Sequence, residues 1–219
     1  MDKSKKQKQT VILASNSPRR KDFIKKIKGI EVVVIPPNAK EVFDENASPY
    51  TNAVRLATQK AKEVFDRVVM DNIEYKDGIC MGCDTIVALD GKIFSKPNTA
   101  DEAFKMFYLL CGKTHEVITG VCLIPFIKSS KDQYAKTQEK SITQHAFFVS
   151  SLVTFFPFNP DIIEPYIASK APFDKAGGYG LQDTALAPLI KKVTGDRDNV
   201  IGFPTKAIEK ALEKMEKEH

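Results

Sequence analysis

Residues 79–94 read ICMGCDTIVALDGKIF. A run this apolar, with β-branched residues at Ile79, Thr85, Ile86 and Val87, is a strand from Ile79 to Leu89. Asp90-Gly91 is the dipeptide of a two-residue hairpin, so the chain returns through Lys92–Phe94. Asp84 interrupts the run. An aspartate amid such neighbours is costly unless a cation or several N–H donors hold it. The hairpin register pairs Leu89 with Lys92 and sets Lys96 opposite Thr85, one position from facing Asp84. A bulge near Pro97 could bring Lys96 and Asp84 closer. An aspartate bonded to backbone groups at a strand end is the other reading.

Upstream, Thr10–Ala14 is a short buried strand, followed by a helix start at Ser17-Pro18 and a helix ending near Gly29. Glu31–Ile35 is a second strand, Pro36–Ala47 a loop, and Ser48-Pro49 opens a long helix with Leu56, Ala57, Ala61, Val64, Phe65 and Val68 on one face. Downstream, Thr99 and Glu102 form a capping box before Phe104–Cys111, and Gly112 ends that helix. Glu116–Ile124 and Phe147–Phe156 read as strands, with a polar loop over Lys128–Gln144 between them. A helix from Asn159-Pro160 to Ala168, a glycine turn over Ala176–Gly180, and helices from Thr184 and Thr205 complete the chain. Hairpin and helical crossovers together predict an α/β protein with a mixed sheet.

The 219 residues are 42% apolar and 28% charged, a globular composition. Four lysines against one aspartate in residues 1–9 carry +3 of the net +5. The basicity therefore concentrates in an expected disordered tail, with residues 10–219 as one domain, and a nucleic-acid-binding face is not expected. No apolar run approaches the ~20 residues of a membrane span. No signal-type segment follows the basic start, so a cytoplasmic location is expected. Cys80 and Cys83 lack a second pair or a nearby histidine and read as buried thiols rather than a metal or redox site. His115, at a strand start, reads as structural, and His145 has no companions.

Two further stretches carry chemistry. Residues 13–20, LASNSPRR, run a strand into a polar turn and a helix. The free N–H groups of a helix start favour an anion. Arg19 and Arg20 sit at the end of the helix where positive charge is disfavoured, which an anion between them and the N–H groups would explain. Solvated arginines are the alternative. Residues 174–182, DKAGGYGLQ, place Lys175 before a glycine turn that allows close backbone approach to a ligand. Gln182 beyond it offers both a donor and an acceptor to a base edge. A tight turn with a surface ion pair is the alternative.

Taken together, LASNSPRR, RLATQKA (55–61), GCDTIVALDGKIFSKP (82–97), THEVITG (114–120), DKAGGYGLQ and GDRDNVIGFP (195–204) resemble the Maf family of nucleotide pyrophosphatases, from Val11 to Pro204. The resemblance implies an elongated, twisted mixed sheet flanked by helices, with two lobes around a cleft (Maf/ITPase-like), often as a homodimer. It implies hydrolysis of nucleoside triphosphates to monophosphate and pyrophosphate with magnesium or manganese, as nucleotide-pool sanitation. It puts the general base on Asp84, phosphate binding on Ser15, Arg19 and Arg20, and lysine roles on Lys60, Lys96 and Lys175, with Lys96 beside Asp84 in catalysis. Arg19, Thr85 and Gln182 match the branch resembling dTTP/UTP pyrophosphatases rather than the 7-methyl-GTP branch. Thr85 and Gln182 are then expected to favour a pyrimidine with a 4-keto group. The sequence departs from the pattern at Lys40, Ala47 and Asp183 and in the length of the 128–144 stretch. Asp84 and Glu41 are the metal-ligand candidates. A non-catalytic regulator of cell division that binds nucleotide or nucleic acid is the competing class.

Overall fold

The computed structural model describes residues 8–38, 40–70, 77–127 and 144–218. Of the expected basic tail, residues 1–7 lie outside the described residues, as do residues 128–143 of the expected polar loop. Gln9 already belongs to the first strand, where it pairs with Ile30.

The elements are β1 (Gln9–Ala14), α1 (Pro18–Ile24), β2 (Ile30–Val34), α2 (Pro49–Met70), β3 (Asp77–Leu89), β4 (Lys92–Phe94), α3 (Ala100–Leu110), β5 (Thr114–Ile127), β6 (His145–Phe155), α4 (Pro160–Ala168), β7 (Ile190–Thr194), α5 (Arg197–Ile201) and α6 (Thr205–Glu218). Short 3₁₀ turns cover Ala171–Asp174, Ala176–Gly178 and Thr184–Leu189. Caps fall where the sequence puts them: Ser17 Oγ accepts from the Arg20 N–H, Thr99 from Glu102, and Asn159 from Asp161.

Three expectations are corrected. α1 stops at Ile24, because i→i−3 bonds from Lys26 and Ile27 tighten the chain into a turn that Gly29 closes at φ +81°. The predicted helix from Thr184 is a 3₁₀ turn that contains Pro188 and ends at Leu189, followed by β7. β5 is longer than predicted and pairs with β3 from Asp77 to Ala88.

The sheet order is β2-β1-β3-β5-β6-β7, with β1 parallel to β2 and β3 and the remaining pairings antiparallel. One side of β3 is covered by β5. On its other side β1 ends at Ala14 opposite Gly82, and β4 begins only at Phe94 opposite Val87. Cys83–Ile86 therefore form an open edge just past the carboxyl end of a parallel strand, where ligands of open α/β sheets bind.

The core sits in pieces that frame this opening. On one face, Ile79, Met81 and Cys83 pack under Ile24, Phe203, Ile208 and Leu212, while Val87 and Leu89 pack under Phe107, Leu110 and Ile163. Thr85 lies in the interval, so two lobes flank a cleft. On the other face α2 runs across both, with Ala57, Ala61 and Val64 against Cys80 and Cys122, and Ala53 and Leu56 against Ile86 and Ile118. Cys80, Cys83 and Cys122 are buried free thiols, with Cys83 pushed up to about 11 by burial.

Candidate active site

A cleft of about 590 Å³ opens at the unpaired edge of β3. Five cationic side chains line it (Arg19, Arg20, Lys60, Lys96 and Lys175) against three carboxylates, Glu41, Asp84 and Asp174. Ser15, Thr85 and Gln182 also line it, so the residues that the sequence offers as catalytic, phosphate-binding, base-reading or metal-binding candidates all come to this one place.

Asp84 is 6% exposed and does have a cation: the Lys60 ammonium, itself 7% exposed, donates to Asp84 Oδ1. Lys60 also donates to Glu41 Oε1 at 2.6 Å. Lys96 is not the partner. The β3–β4 ladder ends at Val87–Phe94, so the register that would set Lys96 opposite Thr85 is never formed. Lys96 instead approaches Glu41 Oε2 at 3.9 Å. The signal that finds Lys60 is its position: it lies on α2 in the apolar stripe of Leu56, Ala57, Ala61 and Val64, where a lysine must meet a counter-charge. Burial pushes the Asp84 carboxyl up, against the pull of Lys60 and Arg20. Burial works the same way on Glu41, but there Lys60 prevails and the carboxyl is lowered.

The strand-to-helix turn after β1 supplies the second wall. Ser15 Oγ accepts the Ser17 N–H at 3.1 Å, which folds the turn around its own hydroxyl. Arg20 is fixed from two sides, donating from Nε to the Gly202 carbonyl at 2.9 Å and from Nη2 to Thr85 Oγ1 at 3.0 Å. Thr85 also bonds Thr119 at 3.0 Å, and Thr119 donates to the Asn199 carbonyl at 3.1 Å. Thr85 thus holds an arginine as well as lining the cleft. Nothing in its sequence neighbourhood signals this, because Thr119 and Asn199 arrive from β5 and α5.

Arg19 crosses the cleft to Asp174 Oδ2 at 2.9 Å. Burial would raise the Asp174 carboxyl, but bonds from Lys175 and Arg19 leave it below the usual carboxylate range. Lys175, 8% exposed, also donates to the Ala171 carbonyl at 2.5 Å and approaches Asp183 Oδ2 at 3.4 Å. Gly177 and Gly178, at φ +66° and +74°, make the turn that brings Lys175 and Gln182 to the same wall. His115 is structural as read: its Nε2 lies 2.7 Å from the Tyr179 hydroxyl, and the ring packs edge-on to Phe155.

Among the described residues no group of three or more His, Cys, Asp or Glu side chains is arranged to hold a metal ion; the carboxylates lining the cleft are Glu41, Asp84 and Asp174. No helix among the described residues is long and apolar enough to cross a membrane.

Sheet and cleft define the class: an α/β protein that presents a cationic cleft around a buried, lysine-held carboxylate. The chain belongs to the Maf family; the description "Maf-like protein" matches residues 10–215. It is 36% identical over 211 residues to the dTTP/UTP pyrophosphatase of Agathobacter rectalis, covering 94% of this chain and 97% of that protein. It is 34% identical over 206 residues to the dTTP/UTP pyrophosphatase of Bacillus cereus, covering 94% and 95%. A human protein described as a probable bifunctional dTTP/UTP pyrophosphatase/methyltransferase is 36% identical over 207 residues, which cover 94% of this chain and 32% of that protein.

Proposed function

We propose that this protein hydrolyses dTTP and UTP to the nucleoside monophosphate and pyrophosphate. The observation that carries the reading is the Glu41–Lys60–Asp84 cluster at the open edge of β3, facing the Ser15–Arg20 turn. The names of the relatives, dTTP/UTP pyrophosphatases, supply the substrate class.

In this reading the triphosphate lies along Arg20, Lys96 and Lys175, and its oxygens displace Asp174 from Arg19. Lys60 occupies one oxygen of Asp84 and leaves the other to take a proton from water. The water oxygen bonds to the α-phosphorus, the bond from that phosphorus to the bridging oxygen breaks, and pyrophosphate leaves. Burial helps, because a carboxyl raised above its ordinary value is a better base. Arg20, held before substrate arrives, contributes fixed charge without reorganisation. Gln182 offers its amide to the 4-keto edge of the pyrimidine. Thr85 contributes by holding Arg20 and by shaping the wall.

Magnesium or manganese fits the donor set: two carboxylates suit a hard cation that takes its remaining ligands from phosphate and water. Asp84 and Glu41 would hold it, and bound there it supplies charge to the phosphates and acidity to water. The proposal extends to a cytoplasmic setting, acting on the free nucleotide pool, and to a homodimer, which sedimentation would test.

The deciding assay incubates the protein with dTTP, UTP and 7-methyl-GTP, plus magnesium or manganese, and identifies the products. Pyrophosphate from dTTP and UTP is expected. Orthophosphate would sink the reaction, preference for 7-methyl-GTP would sink the substrate class, and binding without turnover would favour a regulator. Asp84→Asn is expected to lower kcat by about 10²–10⁴-fold, the usual contribution of a positioned proton acceptor.

A further inference from the structure

Glu41 sits in a stretch without regular secondary structure, yet its backbone is tied down on both sides. The Lys40 carbonyl accepts from Gln59 Nε2 at 3.2 Å, and the Val42 carbonyl accepts from Arg55 Nη2 at 2.5 Å. The pattern continues in both directions. The Pro36 carbonyl accepts from Arg67 at 2.6 Å, and the Asn38 N–H donates to Glu63 at 3.0 Å. The Asp44 N–H donates to Asn52 Oδ1 at 2.9 Å, and its carbonyl accepts from Asn52 Nδ2 at 2.9 Å. Along the strap the tied residues are 36, 38, 40, 42 and 44, every second one. Along α2 their partners are 67, 63, 59, 55 and 52, one helical stripe read backwards.

The two spacings match physically. Two residues of extended chain advance ~6.6–6.8 Å. Four residues of helix rise ~6 Å. A strap running antiparallel to α2 can therefore be held at alternate residues by side chains from successive helical turns. Alternation then decides what faces the other way: Pro37, Glu41 and Phe43 line the cleft. Lys60, which Glu41 meets, is on the same helix as the stripe.

We propose that the polar stripe of α2 is a positioning device for Glu41, with Arg55 and Gln59 as the positioning residues that fix its carboxylate over Lys60. RLATQKA thus has two jobs on one helix: Lys60 enters the cleft while Arg55 and Gln59 hold the strap that answers it. The proposal rests on the reading of Glu41 as part of the working cluster.

Arg55→Met and Gln59→Glu remove the two donors while keeping helix-compatible side chains. Each is expected to lower kcat by about 10–100-fold, the scale of a misplaced reacting group, with KM changed little. In Glu41→Gln, which has already lost the carboxylate, adding either substitution should cost almost nothing more; multiplying losses would overturn the proposal. Arg55→Lys, which keeps one donor, should recover part of the rate. Hydrogen exchange supplies a readout independent of turnover. The peptide covering residues 36–44 should exchange about tenfold faster in Arg55→Met, as a locally released segment does, while amides in the middle of α2 stay protected. Unchanged exchange would overturn the strap, and loss of protection throughout α2 would overturn it in favour of general unfolding. If the wild-type protein turns over neither dTTP nor UTP, the functional reading fails, and the exchange result still decides whether the strap is held this way.

Discussion

Asp84 is buried, and its carboxyl is raised by that burial despite the charges of Lys60 and Arg20. In the proposed role of proton acceptor it works only when ionised, so activity is expected to fall as pH drops through its value in the free protein. The acid limb of kcat/KM is therefore expected above the ~3.9 of an ordinary aspartate. Lys60→Met removes the largest influence holding that carboxyl down, so the limb of its residual activity should move further up; a limb that stays put would detach Lys60 from the ionisation of Asp84. His115 gives a stability prediction of its own. Burial lowers its pKa from 6.5 to about 4, so the folded protein holds it neutral where the unfolded chain would charge it. The unfolded state binds the extra proton between those values, so stability is full above pH 6.5 and is lost as pH falls towards 4. The slope is about 1.4 kcal/mol per pH unit. Denaturant melts of His115→Gln should show a shallower fall over that window, and parallel slopes would mean that another group controls it.

At the scale of elements, the site depends on how closely α2 lies on the sheet. A Cβ placed on Gly82 would sit 2.1 Å from the Ala57 carbonyl oxygen, and one on Gly120 would sit 2.2 Å from that of Ala53. These are backbone contacts, so no side chain can swing aside. Gly120→Ala should destabilise by about 3 kcal/mol, the upper part of the usual overpacking range, measurable by urea unfolding. Gly82→Ala should in addition lower kcat, because lifting α2 there separates Lys60 from Asp84, two residues along β3. What was legible in the sequence divides along the same lines. The hairpin at Asp90-Gly91, the caps at Ser17, Thr99 and Asn159, and the need of Asp84 for a counter-charge are local, and local chemistry leaves a local pattern. The identity of the counter-charge is not local: Lys60 lies 24 residues upstream on another element, whereas hairpin arithmetic pointed to Lys96. β7, with two adjacent lysines in five residues, shows no clean alternation, and the five residues of α5 are too few for a helical period. The strap over α2 escapes sequence reading because side chain-to-backbone bonds carry no hydrophobic period.

For the whole molecule, the opening in β3 is flanked by lobes that share the long strands but have separate cores, and the described side-chain bond of Arg19 to Asp174 spans the cleft between them. An exposed ion pair of this kind contributes little to stability. A triphosphate that engages Arg20 from one lobe and Lys175 from the other replaces it with several charge-assisted bonds, and binding to the folded state alone must then stabilise the whole chain. At a hundredfold excess over Kd the linkage is about 2.7 kcal/mol. For a chain of this size that is a rise in Tm of roughly 5–10 °C. The measurement is a thermal melt with an α,β-imido analogue of UTP, which cannot be cleaved at the bond in question. Arg20→Ala should abolish most of the shift, because it removes the proposed phosphate partner, which Thr85 and Gly202 hold in place. Melted without added metal ion, Asp84→Asn should keep most of the shift, since its proposed work there is on water rather than on the bound phosphates. A shift lost equally in both variants would mean that the carboxylate cluster and the phosphate cradle act as one binding unit.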